Sequence, residues 1–250
     1  SMLTLLLSNQ DRLPGWSIQH ICKLMGEAEW YVGTHGGAND QMTILRNPVN
    51  SVVYNRHSRP DLDTTPLPFL QGIHVVLANS LWEVNKTLGG NQSFNMRKGW
   101  MQMGDELMKL IIKAVREELS RHPELVSGSK EGWLGRLINS KFGYNVGGRV
   151  PLLESQPALW DKIEQNYFKF GSLHEDILGV SDDVIRELLL LLPVKITPQE
   201  AGAIFGRDAE TIERIYTAPK RGAIGGYHIR TTARFFHKEN IIGKRLERIF

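Results

Sequence analysis

Two short stretches of this chain combine residue types that can hold an anion or read a polar surface. In the first, Gly33-Thr34-His35-Gly36-Gly37-Ala38-Asn39-Asp40, small residues expose main-chain N–H groups where an apolar run gives way to a helix signal. That is a common solution for binding phosphate. Thr34, His35, Gly36, Gly37 and Asn39 are the candidate ligand-binding residues. His35 at the tip could donate a proton or a hydrogen bond, whereas Asn39 and Asp40 could simply cap the following helix. Arg56, beside His57 in a proline-rich stretch, is the candidate cation for the same anion. The spacing is neither G-x-G-x-x-G nor a loop ending in Gly-Lys-Ser/Thr, so the residues point to a nucleotide-like anion and leave the cofactor unspecified. A tight glycine turn closed by a capping asparagine accounts for the same residues without a ligand.

The second stretch runs from Thr197 to Ile215. A small residue, Gly202, lets two short helices approach, and Gly206 permits the positive φ of a tight turn. Ile212 and Ile215 would pack the second helix back on the first, leaving Arg207, Glu210, Thr211 and Arg214 outward. Arg207, Thr211 and Arg214 are therefore candidate nucleic-acid contacts, joined downstream by Lys220, Arg221, Arg230 and Arg234. From residue 220 onward eight basic residues face two acidic ones, a net +6 in a chain whose total is +3. A basic tail on a mildly acidic body suits a polyanion, DNA or RNA, ahead of anionic lipid. A solvated basic face and an ordinary helical hairpin are the plain alternatives.

Residues 197–215 resemble a helix-turn-helix, and residues 225–230 could add a basic β-wing to it. A second resemblance is carried by Glu27-Ala28-Glu29-Trp30-Tyr31-Val32-Gly33-Thr34-His35-Gly36-Gly37-Ala38-Asn39. It resembles the donor loop of nucleotide-sugar glycosyltransferases with two Rossmann-like domains, where a His-Gly-Gly or His-Gly-Ala loop lies beside the donor cleft. The resemblance implies a donor-loop role for His35, Gly36, Gly37 and Asn39, and with it a nucleotide-sugar ligand.

The elements expected to position these residues differ between the two ends of the chain. Short apolar runs at 3–7, 30–33, 51–54 and 73–77 read as buried strands, and 17–26 and 40–45 as helices between them, a βαβ rhythm that predicts a parallel sheet. Residues 105–119 carry a one-sided apolar pattern and form the clearest helix. Further on, 158–170, 182–192, 198–205 and 209–216 read as helices; the five leucines at 188–192 wrap all sides of theirs and should make it central. The Gly/Ser-containing stretch near residue 128 is the expected boundary.

The chain can bury a sizeable core at 250 residues, and a hydrophobic share of 41% against 23% charged fits a folded globule rather than disorder. A single cysteine, Cys22, excludes an intrachain disulfide and a multi-cysteine zinc site, and a reducing, cytoplasmic setting is expected. No metal site is expected. The run at residues 3–7 is too short for a membrane span or signal peptide. The expectation is an α/β Rossmann-like domain over 1–127 and a mainly α-helical domain over 128–250 with a possible winged helix-turn-helix. That architecture suits a nucleic-acid-binding regulator or effector; the alternative is a glycosyltransferase-type enzyme.

Overall fold

The computed structural model describes residues 17–28, 39–46, 51–55, 64–68, 72, 91–127, 132–216 and 226–247. They are mainly helical, which overturns the Rossmann-like expectation. The chain divides into two compact units, Ser1–Asn95 with Arg245–Phe250, and Met96–Lys244.

In the first unit, α1 (Ile18–Ala28) packs against α2 (Asn39–Arg46), and α2 against β1 (Ser51–Asn55). Ile21 and Cys22 give α1 its buried side. The strand expected at 51–54 is present as β1, but its partner β2 (Thr64–Pro68) runs antiparallel, with Ser51 opposite Pro68 and Asn55 opposite Thr64. A Rossmann-like half needs parallel neighbours joined by a crossover helix; this pair is a two-stranded antiparallel ribbon. Pro66 and Pro68 remove two donors from β2, as suits an edge. The runs expected as strands at 3–7, 30–33 and 73–77 lie outside the described residues.

The second unit is built on α3 (Asn91–Arg121), whose Met103, Leu107, Ile111, Val115 and Leu119 recur every fourth residue and are all buried. After α4 (Glu124–Ser127) come α5 (Trp133–Phe142), α6 (Pro151–Ser155), α7 (Leu159–Phe170), α8 (Glu175–Leu178) and α9 (Asp182–Leu191). Leu119 and Leu125 share one core with Trp133 and Leu134, so the core runs straight through the boundary expected near residue 128. Tyr167 donates to Asp105 at 2.8 Å, and Arg116 pairs with Asp161 and Glu164, fixing α7 along α3.

The leucine-rich helix α9 is central, as its sequence implies: Leu188, Leu189, Leu191 and Leu192 are buried and Leu190 nearly so. Buried carboxylates then organise its neighbours. Glu187 accepts from the Leu152 and Leu153 N–H groups at 3.1 and 2.9 Å, and Glu154 accepts from those of Gly132 and Leu134 at 2.9 and 3.0 Å. Each acid thus satisfies the orphan donors at the start of another helix, α6 and α5 respectively. These two acids hold helices together rather than standing ready for catalysis.

Candidate nucleic-acid interface

Helix α10 (Pro198–Phe205) and helix α11 (Ala209–Ile215) occupy the segment expected to form the helix pair. Local chemistry dictates both. Thr197 and Glu200 form a reciprocal capping box: the Glu200 N–H donates to Thr197 Oγ1 at 3.2 Å and the Thr197 N–H to Glu200 Oε2 at 2.7 Å. Pro198 sits at the first helical position, where its missing N–H is harmless.

The turn between the helices rests on two glycines. Gly206 takes φ 64°, a left-handed conformation that ends α10, and its N–H and that of Arg207 both donate to the Gly202 carbonyl. A Cβ on Gly202 would collide with the Arg207 carbonyl oxygen, so the small residue is a steric requirement. Asp208 then starts α11 by accepting from the Thr211 N–H at 2.7 Å, while the Thr211 hydroxyl donates to its other oxygen at 2.9 Å. Both Thr211 bonds, the main-chain one first, hold the Asp208 carboxyl below the usual carboxylate range.

Ile212 is buried, fastening α11 to α10, and Tyr216 closes the pair from beneath. Burial and the Glu106 carboxylate of α3 keep the Tyr216 hydroxyl protonated well beyond its ordinary range, against the opposing pull of Arg207. Phe205 and Tyr227 flank the Tyr216 ring at 6.0 and 6.4 Å. Burial, with Glu213 adding to it, pushes the Tyr227 hydroxyl up to about 12. Outward stand Arg207, Glu210, Glu213 and Arg214, with Thr211 half-buried and Ile215 exposed. Arg207 is partly occupied, 3.9 Å from Glu106 and 3.4 Å from the Tyr216 hydroxyl. No family model, curated protein or solved structure matches this chain.

The expected β-wing is absent from the described part of its segment. Tyr227 exchanges both main-chain hydrogen bonds with Ile196 in a single antiparallel bridge, and helix α12 (Ile229–Glu247) begins directly afterwards. Arg230 consequently corrects another expectation, that it shares an exposed basic surface with Lys220, Arg221 and Arg234. It is 7% exposed, and its guanidinium donates to the carbonyls of Leu192 at 2.6 Å and Leu190 at 3.2 Å. Together with the Tyr144 hydroxyl on the Leu191 carbonyl, it closes the negative end of α9. At the other end of α9, His237 Nε2 lies 2.9 Å from Asp182 Oδ1, off hydrogen-bond alignment. Helix α12 therefore runs antiparallel to α9, meeting it at both ends.

Arg234 remains exposed. Lys220 and Arg221 lie outside the described residues, as do Thr34, His35, Gly36, Gly37 and Arg56; Asn39 is the first residue of α2. Sequence reasoning missed β2, the part of α3 before residue 105, helices α4, α5, α6, α8 and α12, and the two buried acids. The pattern Ile229, Thr232, Ala233, Phe236, His237 follows helical spacing and was available as a signal, although two of its members are polar.

Proposed function

We propose that this protein binds duplex nucleic acid through α10 and α11, as a regulator or effector. The observation that carries the reading is the α10–turn–α11 unit: two independently capped short helices, a glycine turn, one buried isoleucine and an outward face of Arg207, Glu210, Glu213 and Arg214. That face is nearly neutral. Such a face suits base readout, with arginine donating to guanine and glutamate accepting from cytosine, while the attraction to phosphates is assigned to the +6 segment that includes Lys220, Arg221 and Arg234. An α-helix fits the major groove of B-form DNA and not the deep, narrow one of A-form RNA, which favours DNA.

The test is an anisotropy titration with a random duplex pool, followed by the sequence that the protein enriches from it. Arg214→Ala should weaken the enriched duplex about tenfold and the random pool far less, the signature of a base contact. A parent protein with no duplex affinity at low salt contradicts the reading. The described residues form helices and an antiparallel ribbon, not the parallel sheet that a glycosyltransferase would need, which disfavours that alternative.

A further inference from the structure

One side of α12 is buried and the other is uncovered. Ile229, Arg230, Thr232 and His237 turn inward, while Thr231, Arg234, Phe235, Lys238 and Ile242 share the opposite side and are exposed. Phe235 is 50% exposed and Ile242 56%. The Phe235 ring is braced by Phe236, centroids 5.7 Å apart and planes at 80°, so it is held in place although half of it meets solvent.

Two basic residues flank this ring. Arg234 precedes it and Lys238 follows one turn later, and neither has an ion pair among the described residues. Residues 229–238 contain no acidic residue, and Glu239 follows Lys238. Arg234 and Lys238 stand at four-residue spacing on the exposed side, where like charges repel, while Arg230, one turn earlier, is turned inward and its cation is pressed by burial and then by Arg234. A polyanion laid along Arg234 and Lys238 relieves that repulsion. The exposed aromatic narrows the choice of polyanion. Duplex bases are already stacked and offer no free face, whereas an unpaired base can stack on a ring beside cations that hold its phosphates. A membrane-surface helix would show an unbroken apolar face, but here Lys238 interrupts Phe235 and Ile242.

We propose that this strip of α12 binds single-stranded nucleic acid, with Phe235 stacking on an unpaired base and Arg234 and Lys238 contacting the flanking phosphates. Strand binding here does not depend on base recognition by α10 and α11, although Arg234 also belongs to the basic segment to which duplex phosphate attraction is assigned. The test uses the full chain in anisotropy titrations, over several salt concentrations, with fluorescein-labelled oligothymidylate, oligouridylate and a duplex, alongside vesicles of phosphatidylcholine and phosphatidylserine. Phe235→Leu keeps the apolar bulk but removes the aromatic face. It should weaken strand binding about tenfold, Phe235→Trp should restore it, and duplex affinity should stay unchanged in both. Arg234→Ala with Lys238→Ala should flatten the salt dependence by about 1.4 log–log units. The relative strength on the two oligonucleotides tells DNA from RNA. Strand affinity equal in Phe235→Leu and parent overturns the proposal, and so does a parent that ignores the strands and binds only the vesicles. Failure of duplex recognition would register separately, as a duplex titration insensitive to Arg214→Ala.

Discussion

Helices α9 and α11 are both short and each starts on its own side-chain cap, Ser181 and Asp208, yet they are held to the rest of the molecule by different means. Helix α9 buries six of its residues and is gripped from outside at both ends, by Arg230 and Tyr144 at one and by the His237–Asp182 contact at the other. Helix α11 buries one, Ile212, and relies on its own cap Asp208 and on the glycine turn before it. A helix secured by burial leaves little surface for a partner, and α9 keeps only Asp183 and Arg186 exposed. A helix secured by local hydrogen bonds keeps most of its side chains available, and this is where recognition can be placed without disturbing the core.

The comparison breaks most violently at Leu189, which is 2% exposed. Leu189→Asp puts an unpaired carboxylate among apolar neighbours, at a cost comparable with the whole stability of a domain, and no cooperative melt should remain by circular dichroism. Next comes Arg230→Ala, which strips the Leu190 and Leu192 carbonyls of their donor. About 2–4 kcal/mol should be lost in urea unfolding, and Arg230→Lys should recover only part of it because one ammonium cannot reproduce the fork. Gly202→Val sharpens the contrast from the other side. It must push apart α10 and the turn, and should lower stability by about 1–3 kcal/mol while weakening duplex binding more than any single outward substitution.

The smallest effect is expected at Asp208. Its folded carboxyl titrates below the ordinary range, so the cap is fully present above the unfolded value and is lost as pH falls through the lowered folded one. The Thr211 amide resonance should move in that acid window, and hydrogen exchange in α11 should quicken there while α9 stays protected. Asp208→Asn, which keeps a capping oxygen without the charge, should remove the pH dependence and retain most of the protection.

Sequence reading succeeded where chemistry is local. The bounds of α10 follow from Thr197, Pro198 and Gly206, those of α9 from Ser181 and its leucines, and each is satisfied within a few residues of itself. It failed where identity depends on distant partners. Short apolar runs near residues 51–54 look alike in parallel and antiparallel sheets, since pairing direction is decided by what the strand meets. Helix α12 escaped notice because its inward side includes Arg230, Thr232 and His237; the first two are satisfied by the Leu190, Leu192 and His228 carbonyls, and His237 lies beside Asp182. Gly225-Gly226 before it reads as a hairpin turn, and Gly226 does adopt a positive φ of 131°, but the chain leaves it into a helix.

Recognition by α11 is most directly tested by amide chemical-shift mapping of the full chain as duplex DNA is added. The account predicts that shifts concentrate on Gly206, Arg207, Asp208 and α11, and that Gly202→Val removes them. Shifts confined to α5–α8, or none at any duplex concentration, would contradict it.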